Sequence, residues 1–256
     1  MNLLAVRDVS KRFGGLVAVD DVSFDVYEGT IKALIGPNGA GKSTLFNLLT
    51  GFDKEDAGSV SFAGEPLDRR RPHAIVRAGI ARTFQNTQLF EELTVRENVI
   101  IGMHTRFKTG FAAGALRLGL ARREDHAAAK DAERLLRLLG VARYASTRAA
   151  DVPHGARRLS EIARALASRP RLLLLDEPAA GLNATETQAL AQALRRIRDE
   201  GVTILVVEHD MGLVMEISDE IVVLDQGRRI AEGPPRLIQK DAAVIEAYLG
   251  EVTTDG

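Results

Sequence analysis

Gly36-Pro37-Asn38-Gly39-Ala40-Gly41-Lys42-Ser43-Thr44 follows a short apolar run, Ile31 to Ile35, and precedes apolar residues at helical spacing from Ser43 to Leu49. Strand, glycine-rich loop and helix in that order are the context of a P-loop, and the residue types explain its chemistry. Glycines let successive backbone N–H groups turn inward on phosphate oxygens. The helix start adds unpaired donors and the positive end of a dipole. Lys42 supplies a mobile point charge for the β- and γ-phosphates, and Ser43 offers a hydroxyl to Mg²⁺. Kinases, GTPases, motors and transport ATPases all share such a loop, so the activity is decided by residues further along the chain.

Two later stretches supply groups for chemistry on a phosphate. Leu172 to Leu175 is a continuous apolar run that ends in Asp176-Glu177. In an open α/β sheet, Asp176 at the carboxyl end of its strand falls beside the P-loop, where it is a metal ligand through water. Glu177, next along the chain, is the candidate base for an attacking water. A second buried run ends in Val206-Val207-Glu208-His209-Asp210. A neutral His209 there can hydrogen-bond the γ-phosphate and orient that water. The bland alternatives are an exposed acidic turn for the pair and a polar strand cap for the histidine.

The elements that must position these groups are legible in outline. Leu4, Val6 and Val9 alternate up to a turn at Gly14-Gly15; Val22, Phe24 and Val26 alternate up to Gly29; Gly58 to Phe62 is a further short strand candidate. From about Asn98 to Arg148 strand signals fade, and Leu116, Leu120, Leu135, Leu136 and Leu139 lie among good helix formers, which predicts an inserted helical lobe. Its first part is basic, with Arg106, Lys108, Arg117, Arg122 and Arg123, followed by Glu124, Asp125, Asp131 and Glu133. A solvated face and proximity to lipid headgroups or a docking partner both fit that pattern. The last third returns to α/β. Ala189, Leu190, Ala193, Leu194 and Ile197 mark an amphipathic helix, and Val202 to Val207 a buried strand. Ile221 to Leu224 and Arg228 to Ala231 flank a hairpin signal at Asp225-Gln226-Gly227, and a short helix near Ala242 to Leu249 ends the fold.

Composition sets limits. A chain of 256 residues with formal net charge −1 suits one large α/β domain or a domain with an inserted lobe. It has no cysteine, which excludes disulfides and thiolate metal sites. No segment approaches the ~18 consecutive apolar residues of a membrane span. Met1 to Val9 alternates like a strand and lacks a signal-peptide pattern, so the expectation is a soluble intracellular protein. The balanced charge argues against a nucleic-acid partner.

The P-loop, Thr83-Phe84-Gln85, the helical lobe, Asp176-Glu177-Pro178 and His209 occur in the order of the ATPase subunits of ABC transporters, which the sequence resembles along nearly its whole length. Lys11-Arg12-Phe13-Gly14-Gly15-Leu16, Ala81-Arg82-Thr83-Phe84-Gln85-Asn86, Asp176-Glu177-Pro178-Ala179-Ala180-Gly181-Leu182-Asn183 and the ending Glu246-Ala247-Tyr248-Leu249-Gly250 are similar to the LivG type within that family. The resemblance implies ATP and Mg²⁺ as ligands and an α/β fold: a P-loop NTPase core with an N-terminal antiparallel β-subdomain and an inserted α-helical subdomain. The implied single ABC ATPase domain covers 1–256. Residues 1–97 and 157–256 form the nucleotide-binding core with the β-subdomain, and 98–156 the lobe and signature segment.

The same resemblance assigns Phe13 to adenine stacking and makes Gln85 a contact of Mg²⁺ and water that links the site to a membrane partner. Gly181, Leu182 and Asn183 become a dimer-interface loop. The implied function is ATP hydrolysis coupled to import of branched-chain amino acids or related small polar solutes. The implied partners are two transmembrane permeases, a second and non-identical ATPase (a homodimer being the alternative) and a periplasmic or extracellular solute-binding protein. The implied location is peripheral, on the cytoplasmic face of the inner membrane. An export ATPase of the lipopolysaccharide type and a soluble, non-transport ABC ATPase are the competing readings.

One motif departs from the family. Where it has Leu-Ser-Gly-Gly-Gln or a close variant to cap the partner's γ-phosphate, this chain has Val152-Pro153-His154-Gly155-Ala156, without the serine hydroxyl and the glutamine amide. Pro153 suits the first turn of a helix. Gly155 and the helix start remain as expected backbone donors to an anion.

Overall fold

The computed structural model describes residues 1–67, 70–84, 89–104 and 118–252. Long alternating strands at the N-terminus make an antiparallel sheet. β1 (Asn2–Phe13) and β2 (Leu16–Tyr27) form a hairpin through Gly14-Gly15, and β4 (Ala57–Phe62) and β5 (Glu65–Pro66) extend it in the order β2-β1-β4-β5. The short apolar runs make the second sheet. It comprises β3 (Ile31–Ile35), β6 (Ile80–Arg82), β7 (Leu172–Asp176), β8 (Thr203–Val207), β9 (Glu220–Asp225) and β10 (Arg228–Gly233), in the order β10-β9-β3-β8-β7-β6. All its pairings are parallel except the β9–β10 hairpin. Gln226 and Gly227 close that hairpin at φ 45° and 80°. Positive φ at both central residues gives the turn a twist that matches its strands, as the Asp-Gln-Gly signal predicts.

The α-helices among the described residues are α1 (Lys42–Thr50), α2 (Pro72–Ala78), α3 (Val95–Ile101), α4 (Leu118–Leu138), α5 (His154–Leu166), α6 (Ala184–Asp199), α7 (Met211–Ile217), α8 (Pro235–Ile238) and α9 (Ala242–Val252). Two of them start with reciprocal capping boxes. Thr94 and Glu97 close the first turn of α3, and Asn183 and Glu186 that of α6. Each ties down two otherwise orphaned N–H groups. Of the lobe's predicted features, Leu116, Arg106, Lys108 and Arg117 lie outside the described residues, as do the side chains of Leu120, Arg122, Arg123, Glu124 and Asp125.

The parallel sheet is buried on both faces, which explains why its strands carry no polar alternation. Leu34, Leu172, Leu174, Leu205, Val207, Val222 and Leu224 face the antiparallel sheet and α1. Ala33, Ile35, Leu173, Leu175, Ile204, Val206, Ile221 and Val223 face the helices, where Val95, Val99, Ala132, Leu136, Ile162, Ala163, Leu190 and Leu194 complete one continuous cluster. The lobe therefore shares a core with the sheet.

Gly102, just past α3, has ordinary right-handed helical φ and ψ, so the backbone does not demand glycine there. Space does, because a Cβ would run into the Arg164 carbonyl oxygen of α5. Gly102→Ala is expected to destabilise the protein by ~1–3 kcal/mol through overpacking. Without that contact, the same change would stabilise it slightly. Urea denaturation measures the sign.

Candidate functional site

Parallel pairing brings four strand ends to one edge. Leu34 of β3 and Asp176 of β7 are both in register with Val207 of β8, and Arg82 of β6 pairs with Leu174. The first residues past these four strands are Gly36, Glu177, Glu208 and Thr83, so the P-loop, the Asp-Glu pair, the Glu-His pair and the Thr83-Phe84 segment leave the sheet side by side.

The loop is shaped by its glycines. At Gly36 (φ 149°) a Cβ would strike the Leu224 carbonyl, and at Gly41 (φ 98°) the Ala18 carbonyl. Gly39 (φ 79°) stands at the exposed crown with open space around its Cβ position. Pro37 and Ala40 are buried, Asn38 and Ser43 exposed, and Thr44 half-buried. The Lys42 ammonium donates to the carbonyls of Gly36 and Pro37 at 2.6 and 2.8 Å, which holds it over the loop's mouth. A cradle of N–H groups whose close approaches exclude side chains fits a run of phosphates.

Asp176 is 7% exposed. Its Oδ2 accepts from Arg82 Nη2 at 2.8 Å. Its carboxylate and the Ser43 hydroxyl are hard oxygen donors. That donor set suits Mg²⁺, which keeps several waters and takes its remaining ligands from substrate phosphates. Glu177 adopts φ 46°, a left-handed conformation unusual for glutamate, with its N–H bonded to the Val207 carbonyl at 2.9 Å. This strained turn bends the chain away from the sheet and leaves the side chain partly exposed at the edge. His209, largely exposed, lies with Nδ1 3.9 Å from Glu177 Oε2. The two sequence-predicted groups for water chemistry are thus neighbours without being hydrogen-bonded through these atoms.

Glu208, to which the sequence motifs assign no role, is 1% exposed. It accepts from the N–H of Ala179 at 2.6 Å, of His209 at 3.1 Å and of Asp210 at 3.4 Å. Burial pushes its carboxyl above the usual range, and the three N–H donors only partly offset this. Its effect is to tie the loop after Glu177 to the start of the His209 segment. A signal for it exists in the sequence, since an acid directly after an apolar strand needs partners at its end.

Phe13 is exposed at the end of β1, with Lys11 Nζ 5.3 Å from its ring centroid, so the ring is presented rather than packed in the core. Gln85 and Asn86 lie outside the described residues. Gly181 and Asn183 are exposed and Leu182 half-buried in the loop that leads to α6.

In the segment that departs from the family, Val152 is buried, Pro153 is the N-cap of α5 and His154 its exposed first residue. The proline stands one position before the first turn, where its missing N–H costs nothing. The Gly155 N–H, an expected donor to an external anion, instead donates to Glu186 Oε1 at 3.2 Å. A Cβ at Gly155 would sit 2.6 Å from that oxygen. The α6 capping box causes this, because it fixes the Glu186 carboxylate with one oxygen on the Asn183 N–H and the other toward α5. Ala156 offers its carbonyl to the Ser160 hydroxyl at 2.7 Å.

Comparison with known proteins agrees with this geometry. The family described as ABC transporter matches residues 19–180. The family described as branched-chain amino acid ATP-binding cassette transporter matches residues 228–253. The chain is 44% identical over 250 residues to the high-affinity branched-chain amino acid transport ATP-binding protein BraF of Pseudomonas aeruginosa, covering 97% of this chain and 98% of BraF. It is equally similar, with the same coverage, to the high-affinity branched-chain amino acid transport ATP-binding protein LivG of Escherichia coli. A crystal structure of the ADP conformation of an ATP-binding cassette of an ABC transporter superposes with a TM-score of 0.85. It is 32% identical, covering 98% of this chain and 99% of that one.

The loop geometry predicts a sharp dependence on Gly41. Gly41→Ala adds a methyl against the Ala18 carbonyl and forces alanine into left-handed φ. ADP affinity is expected to fall at least about tenfold by calorimetry, which corresponds to ~1.4 kcal/mol or more.

Proposed function

The chain belongs to the ABC transporter ATP-binding family, and from that premise we propose that it hydrolyses ATP to energise import of branched-chain amino acids or related small polar solutes. The observation that carries the reading is the convergence of the P-loop, Asp176-Glu177 and Glu208-His209 at one sheet edge. Gly36 to Thr44 hold the phosphates, with Lys42 moving from loop carbonyls to the β- and γ-oxygens. Ser43, Asp176 and Gln85 would hold Mg²⁺, which would supply positive charge to offset that of the phosphates. Glu177 polarises water, His209 orients it, and Phe13 stacks on adenine.

Residues 1–97 and 157–256 act as the nucleotide core with its β-subdomain, and 98–156 as the lobe and signature segment. The core pairs with a second, non-identical ATPase through Gly181, Leu182, Asn183 and the Val152 to Ala156 segment. The complex holds two permeases, one of which docks on this chain at the groove of about 400 Å³ lined by Phe84, Phe90, Ile101, His104 and Arg164. A solute-binding protein delivers the cargo from outside, and the chain works at the cytoplasmic face of the membrane. No helix among the described residues is long and apolar enough to cross a membrane.

Substitution at the base separates binding from chemistry. Glu177→Gln is expected to bind Mg-ATP as the parent does, to release phosphate ~10²–10⁴-fold more slowly, and to accumulate as an ATP-bound dimer with its partner ATPase. Light scattering beside a phosphate-release assay measures both. Parent-like turnover in the assembled transporter would return Glu177 to an exposed acidic turn.

The altered signature has its own test. Pro153→Ser with Ala156→Gln adds side-chain donors where the Gly155 N–H is already engaged. Turnover of the self-dimer at saturating ATP should rise, and an unchanged rate in a verified dimer would show that this segment does not limit it.

A further inference from the structure

The hairpin that carries Phe13 is docked against the P-loop. Gly41 lies so close to β2 that a Cβ would sit 2.3 Å from the Ala18 carbonyl oxygen. Gly227 links the two, since its carbonyl accepts from the Asp20 N–H at 2.8 Å and its N–H donates to the Ala40 carbonyl at 3.2 Å. Phe13 and Leu16, paired at the hairpin tip, therefore stand near the loop that fits phosphates. Phe13 is 47% exposed.

The strand end before this ring is fixed from outside the hairpin. The pairing of β1 with β2 is irregular between Val9 and Lys11 and again between Lys11 and Arg12, and such irregularities re-aim side chains. Asp56, at the end of the segment that leads from α1 to β4, holds this stretch at three points. Its N–H donates to the Ser10 carbonyl at 2.9 Å, its Oδ2 accepts from the Arg12 N–H at 2.7 Å, and its Oδ1 accepts from Lys11 Nζ at 3.1 Å. The Arg12 N–H, and after it the Lys11 ammonium, hold the Asp56 carboxyl below the usual range. Lys11, with a side chain only 14% exposed, in turn lies over the Phe13 ring. A lysine stem has four rotatable bonds, so a strand-end ammonium stays above one ring only when something holds it there. An exposed ion pair adds little to stability, because solvent screens it. Its value here is direction.

We propose that Lys11 and Asp56 are positioning residues for base recognition: Asp56 pins the Lys11 ammonium over one face of Phe13, so that the opposite face receives the adenine of a nucleotide. The proposal rests on Phe13 being the adenine-stacking ring. The face of a phenyl ring is electron-rich, which attracts the cation and repels another π-face. A cation on one face draws electron density toward itself and eases the approach of a base to the other. The same contact stops the ring from turning at the end of its strand. Lys11 and Asp56 touch neither base nor phosphate, and their effect passes through the ring.

Calorimetry with two probes, Mg-ADP and Mg-tripolyphosphate, separates the base from the phosphates. Lys11→Met keeps the stem and removes the charge, and Asp56→Ala removes the pin. Each is expected to weaken ADP about three- to tenfold, the range of one aromatic or cation–π contact, and to leave tripolyphosphate within about twofold. Lys11→Arg keeps a cation over the ring and should retain most of the ADP affinity, as a loss of packing would not. In a Phe13→Leu background, Lys11→Met should have no further effect on ADP, because the ring through which it acts is gone. Parent-like ADP affinity in both Lys11→Met and Asp56→Ala, beside a clear loss in Phe13→Leu, overturns the proposal and leaves the stacking reading in place. An equal loss for both probes, or an undiminished effect of Lys11→Met without the ring, also overturns it, and assigns Lys11 to general attraction of anions. Parent-like ADP affinity in Phe13→Leu overturns the stacking reading itself, and the proposal with it.

Discussion

A strand covered on both faces has no room for a polar side chain along its length, so its chemistry is displaced to its end. That constraint organises this protein. β3, β7 and β8 are buried throughout. Their parallel pairing aligns the ends, and each continues directly into a chemically useful residue: Gly36, Glu177 or Glu208. An antiparallel arrangement of the same strands would scatter these residues over both edges. Ligand sites at the carboxyl edge of such sheets arise from this geometry rather than from any one side chain.

The charges that are buried despite this rule mark where elements are joined. Lys32, 1% exposed in β3, donates to the Asp25 carbonyl, Glu220 and Glu232, and so ties the parallel sheet to β2 and β10. Arg82 with Asp176 joins the sheet edge to α1, and Arg158 with Glu161 joins α5 to the Phe84 segment. Removing one partner of such a pair costs ~3–5 kcal/mol because the other charge is stranded. The many exposed pairs, such as Arg148–Glu92 or Arg134–Glu200, are screened by solvent and contribute little. The buried set therefore fixes relative placement, while the exposed set mainly decorates the surface.

The departure at Val152 to Ala156 acquires a physical meaning beside α6. A family signature offers side-chain and backbone donors to a partner's phosphate. Here the side-chain donors are missing, and the Gly155 N–H faces the Glu186 carboxylate of its own chain. A negative charge at that helix start is locally stabilising, since it meets the positive end of the α5 dipole. It also lowers what the segment has left to offer an external anion.

What the residues determined by themselves was local. The P-loop is legible because glycine, lysine and hydroxyl at fixed spacing admit few other uses. The strand ends at Asp176 and Val207 are legible because an apolar run that stops at an acid has a definite edge. The two-residue hairpin at Gln226-Gly227 is legible because few pairs tolerate positive φ twice. The capping pairs Thr94–Glu97 and Asn183–Glu186 were present in the same way, at a spacing of three. Other features depended on residues far apart in the chain. Leu172 to Leu175 reads as one uniform run, yet alternate residues enter two different cores, and only the layers on either side decide which. Arg82 and Arg158 look like ordinary basic residues in helix- or strand-forming sequence. Their partners stand 94 residues away at Asp176 and 74 residues away at Phe84. Glu186 is a cap alone until folding brings Gly155 against it, 31 residues distant. Spacing along the chain encodes backbone conformation, which is short-ranged. The pairing of buried charges is set by where the packed layers bring them, and that is decided only in the tertiary structure.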